Sequence, residues 1–176
     1  MEPQLADDRC RMDADEKVIE ALRQRVLASG QVAAAPATPE QIARAEARLG
    51  FEILNLLRLV LLRVGNGDFG PYGGLLGVRI GFTVNQWETA EESYFRRRSA
   101  EPAWGWSWPH GWLPICNDGC GLVFCVSCLE EGFPVIVVDP NGFGEDGNYP
   151  IQRRVGSLHD WFTSWAAEEG WPSVGG

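Results

Sequence analysis

Gly65-Asn66-Gly67-Asp68-Phe69-Gly70-Pro71-Tyr72-Gly73-Gly74-Leu75-Leu76-Gly77 decides how this chain is read. It follows a helix-like apolar run, residues 53–64, and precedes a strand-like one, residues 75–84. Asn66-Gly67 offers positive-φ positions, Pro71 fixes its own φ, and the other glycines let backbone pass close to neighbouring elements. The stretch therefore predicts an ordered helix-to-strand corner. Gly65, Asn66, Gly67, Gly70 and Pro71 shape its backbone, and Phe69 and Tyr72 are its candidate anchors. It has no Gly-Lys-Ser/Thr ending, and its glycines follow a helix instead of a strand. A phosphate loop or a dinucleotide fingerprint is therefore not expected.

Outward from the corner, residues 1–13 are polar and acidic without periodicity and predict a disordered start. Residues 14–35 read as a helix and an alanine-rich linker, with Val18, Ala21, Leu22 and Val26 on one face and Gly30 as a stop. Thr38 as cap, Pro39 at the first helical position and Gln41 completing a capping box predict a helix ending at Gly50. Residues 53–64 predict a second, with Leu54, Leu57 and Leu61 on one face. After the strand at 75–84, Asn85 and Glu88 predict the start of a third helix, and Arg96-Arg97-Arg98 complements the dipole at its end. Residues 113–117, 122–128 and 134–138 read as strands joined by turns at Asp118-Gly119 and Glu130-Glu131-Gly132, an antiparallel meander. A glycine-rich loop spans 141–150. Ser157 caps a last helix with Leu158, Trp161, Phe162 and Trp165 inward, and residues 168–176 form a flexible tail. Helices, then strands, then a helix make one α+β domain, a central antiparallel sheet packed by helices.

A chain of 176 residues, 45% hydrophobic, suits one such domain. The acidic start does not resemble a signal or transit peptide. The best apolar run is interrupted by Asn55, Arg58 and Arg63, so no membrane span and a cytoplasmic location are expected. The net charge of −9 is unevenly spread. Residues 99–152 contain no lysine or arginine but carry Glu101, Asp118, Glu130, Glu131, Asp139, Glu145 and Asp146. Such a surface repels nucleic acid and attracts a basic protein.

Cys116, Cys120, Cys125 and Cys128 are the candidate metal ligands, since four thiolates can hold a tetrahedral zinc. The gap between the pairs is far shorter than in a zinc ribbon, and Cys125 and Cys128 alternate across one predicted strand. The expectation is therefore no metal and no other cofactor, with the cysteines as small buried hydrophobes. His110 and His159 are the only histidines, and no Gly-x-Ser-x-Gly elbow is present, so no catalytic residue is assigned. Asp118 and Asp139 sit where turn aspartates accept backbone hydrogen bonds. The loop Trp104-Gly105-Trp106-Ser107-Trp108-Pro109-His110-Gly111-Trp112 alternates its first three tryptophans onto one face of an extended segment. Tryptophan dominates binding hot spots. Trp104, Trp106 and Trp108 with Glu130, Glu131, Glu145 and Asp146 are therefore the expected partner-binding residues.

Four blocks carry a family resemblance. They are Thr38-Pro39-Glu40-Gln41-Ile42 leading to Gly50; the corner from Val64 to Gly77; Trp112-Leu113-Pro114-Ile115-Cys116-Asn117-Asp118-Gly119 with Val137-Val138-Asp139-Pro140-Asn141-Gly142; and the closing Ser157, Leu158, Trp161, Phe162 and Trp165. In this order, over roughly residues 36–167, they resemble the SUKH superfamily of Smi/Knr cell-wall-regulator-like domains. One departure is Glu52-Ile53-Leu54-Asn55, where many members carry prolines. The resemblance implies a non-enzymatic protein-binding module, foremost a bacterial immunity protein that neutralises a cognate toxin, often a basic nuclease. It also admits a regulatory or scaffold protein of the cell-wall-regulator type. A small zinc protein built on the cysteine cluster is the third reading.

Overall fold

The computed structural model describes residues 3–72, 74–78, 88–101, 105–118, 121–144 and 149–167, with side chains from residue 12 on. Its elements are α1 (Pro3–Ser29), α2 (Pro39–Leu49), α3 (Asn55–Arg63), α4 (Ala90–Ser99), β1 (Trp112–Asn117), β2 (Val123–Ser127), β3 (Pro134–Asp139), β4 (Ile151–Ser157) and α5 (Leu158–Ala166). The strands form one antiparallel sheet in the order β1-β2-β3-β4, so the α+β reading holds.

The inner strands are buried on both faces, which is why Val135-Ile136-Val137-Val138 is a continuous apolar run instead of an alternating one. On one face Phe124 meets Trp161 of α5, ring centroids 6.1 Å apart. On the other, Val138 lines a hollow together with Trp106 and Trp108. β4 was not expected. Its Gln152, Arg153 and Arg154 are exposed, and it pairs with β3 on one side only. A polar edge strand has little hydrophobic signal to read, and its charges keep other chains from adding to the sheet.

The glycine corner is held by backbone packed against backbone. Asn66 is buried; its Nδ2 donates to the Val78 carbonyl at 3.0 Å, and its Oδ1 accepts from the Val78 N–H at 2.9 Å. Among the described corner residues positive φ falls on Gly67, Asp68, Gly70, Tyr72 and Gly74, not on Asn66. Phe69 is fully buried beside Trp165, as an anchor should be, while Tyr72 is half exposed and stacks on Phe124. The described part of the expected strand, residues 75–78, makes one antiparallel bridge, Leu75 to Cys116.

Thr38 and Ser157 cap α2 and α5 as predicted, each in a reciprocal capping box. α4 instead begins after Thr89, boxed with Glu92. Glu88, the expected box residue, pairs with Arg96 (Nη2 to Oε1, 2.6 Å), while Asn85 lies outside the described residues. Both start sites have cap chemistry. The later one is fixed by packing, with Ala90, Ser93 and Tyr94 buried and the Ala90 N–H donating to Gly77. At the departure noted above, Glu46 of α2 takes over the joining role. Its Oε1 accepts from the Ile53 N–H at 2.9 Å and from Arg58.

α1 starts at Pro3, further upstream than the helix start expected at residue 14. Residues 4–14 include Gln4, Leu5, Ala6, Met12 and Ala14 with no interior glycine or proline, so propensity allows the extension. Val18, Ile19, Leu22 and Val26 are buried, and α1 packs on α5 and α3. Arg23 donates to the Arg63 carbonyl through Nε and Nη2. The linker is tied down as well, because the Gln31 side-chain amide brackets Gly70 with bonds of 2.9 Å in both directions.

Candidate functional site

The two halves of the expected binding surface are built differently. The tryptophan loop runs from α4 to β1 and is pinned from both sides. Trp108 is 3% exposed, and its Nε1 donates to the Trp112 carbonyl at 2.7 Å. The Arg97 guanidinium lies 5.1 Å from the centre of its ring, and Arg98 Nη1 donates to the Trp108 carbonyl at 2.7 Å. Burial lowers the pKa of Arg97. Trp108 is thus a core residue, which corrects its place on the expected surface. The Arg97–Arg98 pair outweighs simple alternation along the loop. Trp106 remains partly exposed, edge-on to Trp108 at 5.8 Å. Trp104 lies outside the described residues.

The acidic half is the turn between β2 and β3. Glu131 is exposed, and Glu130 forms a two-pronged ion pair with Arg154 of β4. That hydrogen bond raises the pKa of Arg154. Half of the turn's charge is therefore balanced locally, which sequence reasoning missed because β4 itself was missed. The available signal was Arg153-Arg154 following a hairpin that carries Glu130-Glu131. Glu145 and Asp146 lie outside the described residues. Trp106 lines a hollow with Val138 and Pro140 at the end of β3, whereas Glu130 and Glu131 precede its start. The described members of the expected surface thus form two patches along one strand, not a single one.

Cys116, Cys125 and Cys128 are free and buried. Burial raises all three thiols, Cys116 and Cys128 to about 12. Two of them donate to backbone carbonyls, Cys116 Sγ to that of Pro71 at 3.5 Å and Cys125 Sγ to that of Ile136 at 3.4 Å. Cys120 lies outside the described residues, among which no group of three or more His, Cys, Asp or Glu is placed to hold a metal. His110 shares a 2.9 Å hydrogen bond with Tyr94 and does not meet a cysteine, while His159 turns to Thr163. Asp118 and Asp139 accept from the Leu122 and Asn141 N–H groups, the turn role expected of them. Among the described residues no helix is long and apolar enough to cross a membrane.

No curated protein matches the chain. The family model described as SMI1 / KNR4 family (SUKH-1) matches residues 36–164, from the α2 cap through most of α5. The match takes in the corner, all four strands and both patches, and it covers well over half of the sequence, so the chain belongs to the SMI1 / KNR4 family (SUKH-1).

Proposed function

We propose that this protein is an immunity module that binds and neutralises a basic toxin domain. Family membership supports a protein-binding or immunity role. The observation that carries the finer reading is the β2–β3 turn. It presents Glu131 to solvent within a stretch, residues 99–152, that has no lysine or arginine. A field of one sign steers an oppositely charged partner and fixes its orientation. Binding there blocks the toxin by covering a basic surface that would otherwise meet nucleic acid.

The test is capture of the partner by the tagged protein from its own cells, followed by binding kinetics. A single dominant basic partner is expected, with affinity falling as salt rises. Glu130→Lys with Glu131→Lys is expected to weaken binding by about tenfold or more, mainly by slowing association. Arg154→Ala, which releases Glu130 from its ion pair, is expected to speed association. A dominant neutral or acidic partner, or kinetics indifferent to all three changes, would sink the reading.

A further inference from the structure

A pocket of about 230 Å³ opens between α1, the start of α3, the β2–β3 turn and the start of α5, walled by Ala14, Leu54, Leu56, Phe133 and Leu158. One carboxylate lines it. Asp15 is 6% exposed and accepts a hydrogen bond from Asn55 Nδ2 at 3.1 Å. Among the described residues no lysine or arginine pairs with it. His159 also lines the pocket, but its Nδ1 faces Thr163. The amide engages one of its two oxygens, so the other is left to accept a cation that reaches it through the pocket. The pocket continues past Ala14 and His159 into a groove of about 550 Å³ between α1 and α5, with Asp13 on its lining. At the other side Gly132, which follows the exposed Glu131 in the β2–β3 turn, forms part of the wall.

Apolar walls closing on a single buried carboxylate match one kind of side chain, an aliphatic stem ending in a cation. We infer that this pocket receives a lysine or arginine side chain of the basic partner, its head on Asp15 and its stem against Leu56 and Phe133. The inference rests on the reading that the partner is basic, and it adds where the contact is anchored. Long-range steering by the turn brings the partner in; the desolvated pair at Asp15 then holds it, in the manner of a hot spot. α1 lies outside the matched residues 36–164, so the anchoring acid comes from a helix added to the family domain. Partner choice thus resides partly in that addition.

The experiment is an NMR titration of the full chain with N-acetyl-arginine amide, and with N-acetyl-norleucine amide as the uncharged control. Saturable shifts are expected at the Asn55 side-chain amide, Phe133 and His159 with the arginine probe only, and their loss in Asp15→Asn. Ala14→Phe, which fills the pocket and leaves the carboxylate in place, covers the case in which Asp15→Asn does not fold. With the captured partner, either variant is expected to raise Kd at least tenfold. Absence of saturable shifts, shifts equal for both probes, or a partner indifferent to both variants would overturn the pocket and leave the basic-partner reading intact. Shifts as expected without any basic partner captured would sink that reading and keep the cation site.

Discussion

Asn66 acts as a short piece of strand made from a side chain. Its amide closes both hydrogen bonds of Val78 in a site with no access to water. Asn66→Ala would leave an N–H and a carbonyl unpaired there, and a buried unpaired group costs about 1–3 kcal/mol. Urea unfolding should therefore show a loss of about 2–4 kcal/mol with an unchanged slope. Gly77 answers to the same contact. A Cβ added to it would sit 2.1 Å from the Asn66 carbonyl oxygen, a backbone atom that cannot step aside alone. Gly77→Ala is expected to cost about 1–3 kcal/mol. An unchanged midpoint in both variants would remove the corner from the stabilising features of the fold. Glycine is needed here for closeness of approach, whereas at Gly67 the positive φ requires it as well.

At the scale of elements, three helices start on the same device: Thr38 with Gln41, Thr89 with Glu92, and Ser157 with Asp160. Ser157→Ala should cost about 1 kcal/mol, read by urea unfolding at neutral pH. The third box also has a pH signature. Hydrogen bonds from the Ser157 hydroxyl and from its backbone N–H hold the Asp160 carboxyl below its usual range. A folded pKa below the unfolded one stabilises fully above the ordinary aspartate value, and that part is lost as pH falls through the lower folded value. The gap between wild type and Ser157→Ala should therefore narrow in acid. A gap that stayed constant down to pH 3 would show that the carboxylate contributes nothing to the cap.

For the molecule as a whole, α1 is the element whose role most needs measuring. It lies outside the family match but buries Val18, Ile19, Leu22 and Val26 against the domain. Burying an aliphatic side chain is worth about 1.5–3 kcal/mol, and the whole stability of a domain is about 5–15 kcal/mol. Deletion of residues 1–30 is therefore expected to abolish cooperative folding or to lower Tm by tens of degrees. A truncated chain that melts as the full chain does would make α1 an independent appendage.

The sequence by itself determined the fold class, two of the helix caps, three of the four strands and the family, because each is written in local patterns: cap residues at fixed offsets, apolar runs and turn dipeptides. The aromatic and acidic residues of the candidate surface were also legible as types. Only the tertiary structure decided which of them face out. Trp108 is drawn inward by Arg97 and Arg98, and Glu130 is balanced by Arg154 from a strand with almost no apolar signature. The start of α4 and the burial of Asp15 were settled in the same way, by contacts such as Ala90 to Gly77 and Asn55 to Asp15. Exposure and charge pairing depend on neighbours distant along the chain, and no local pattern of residue types encodes those.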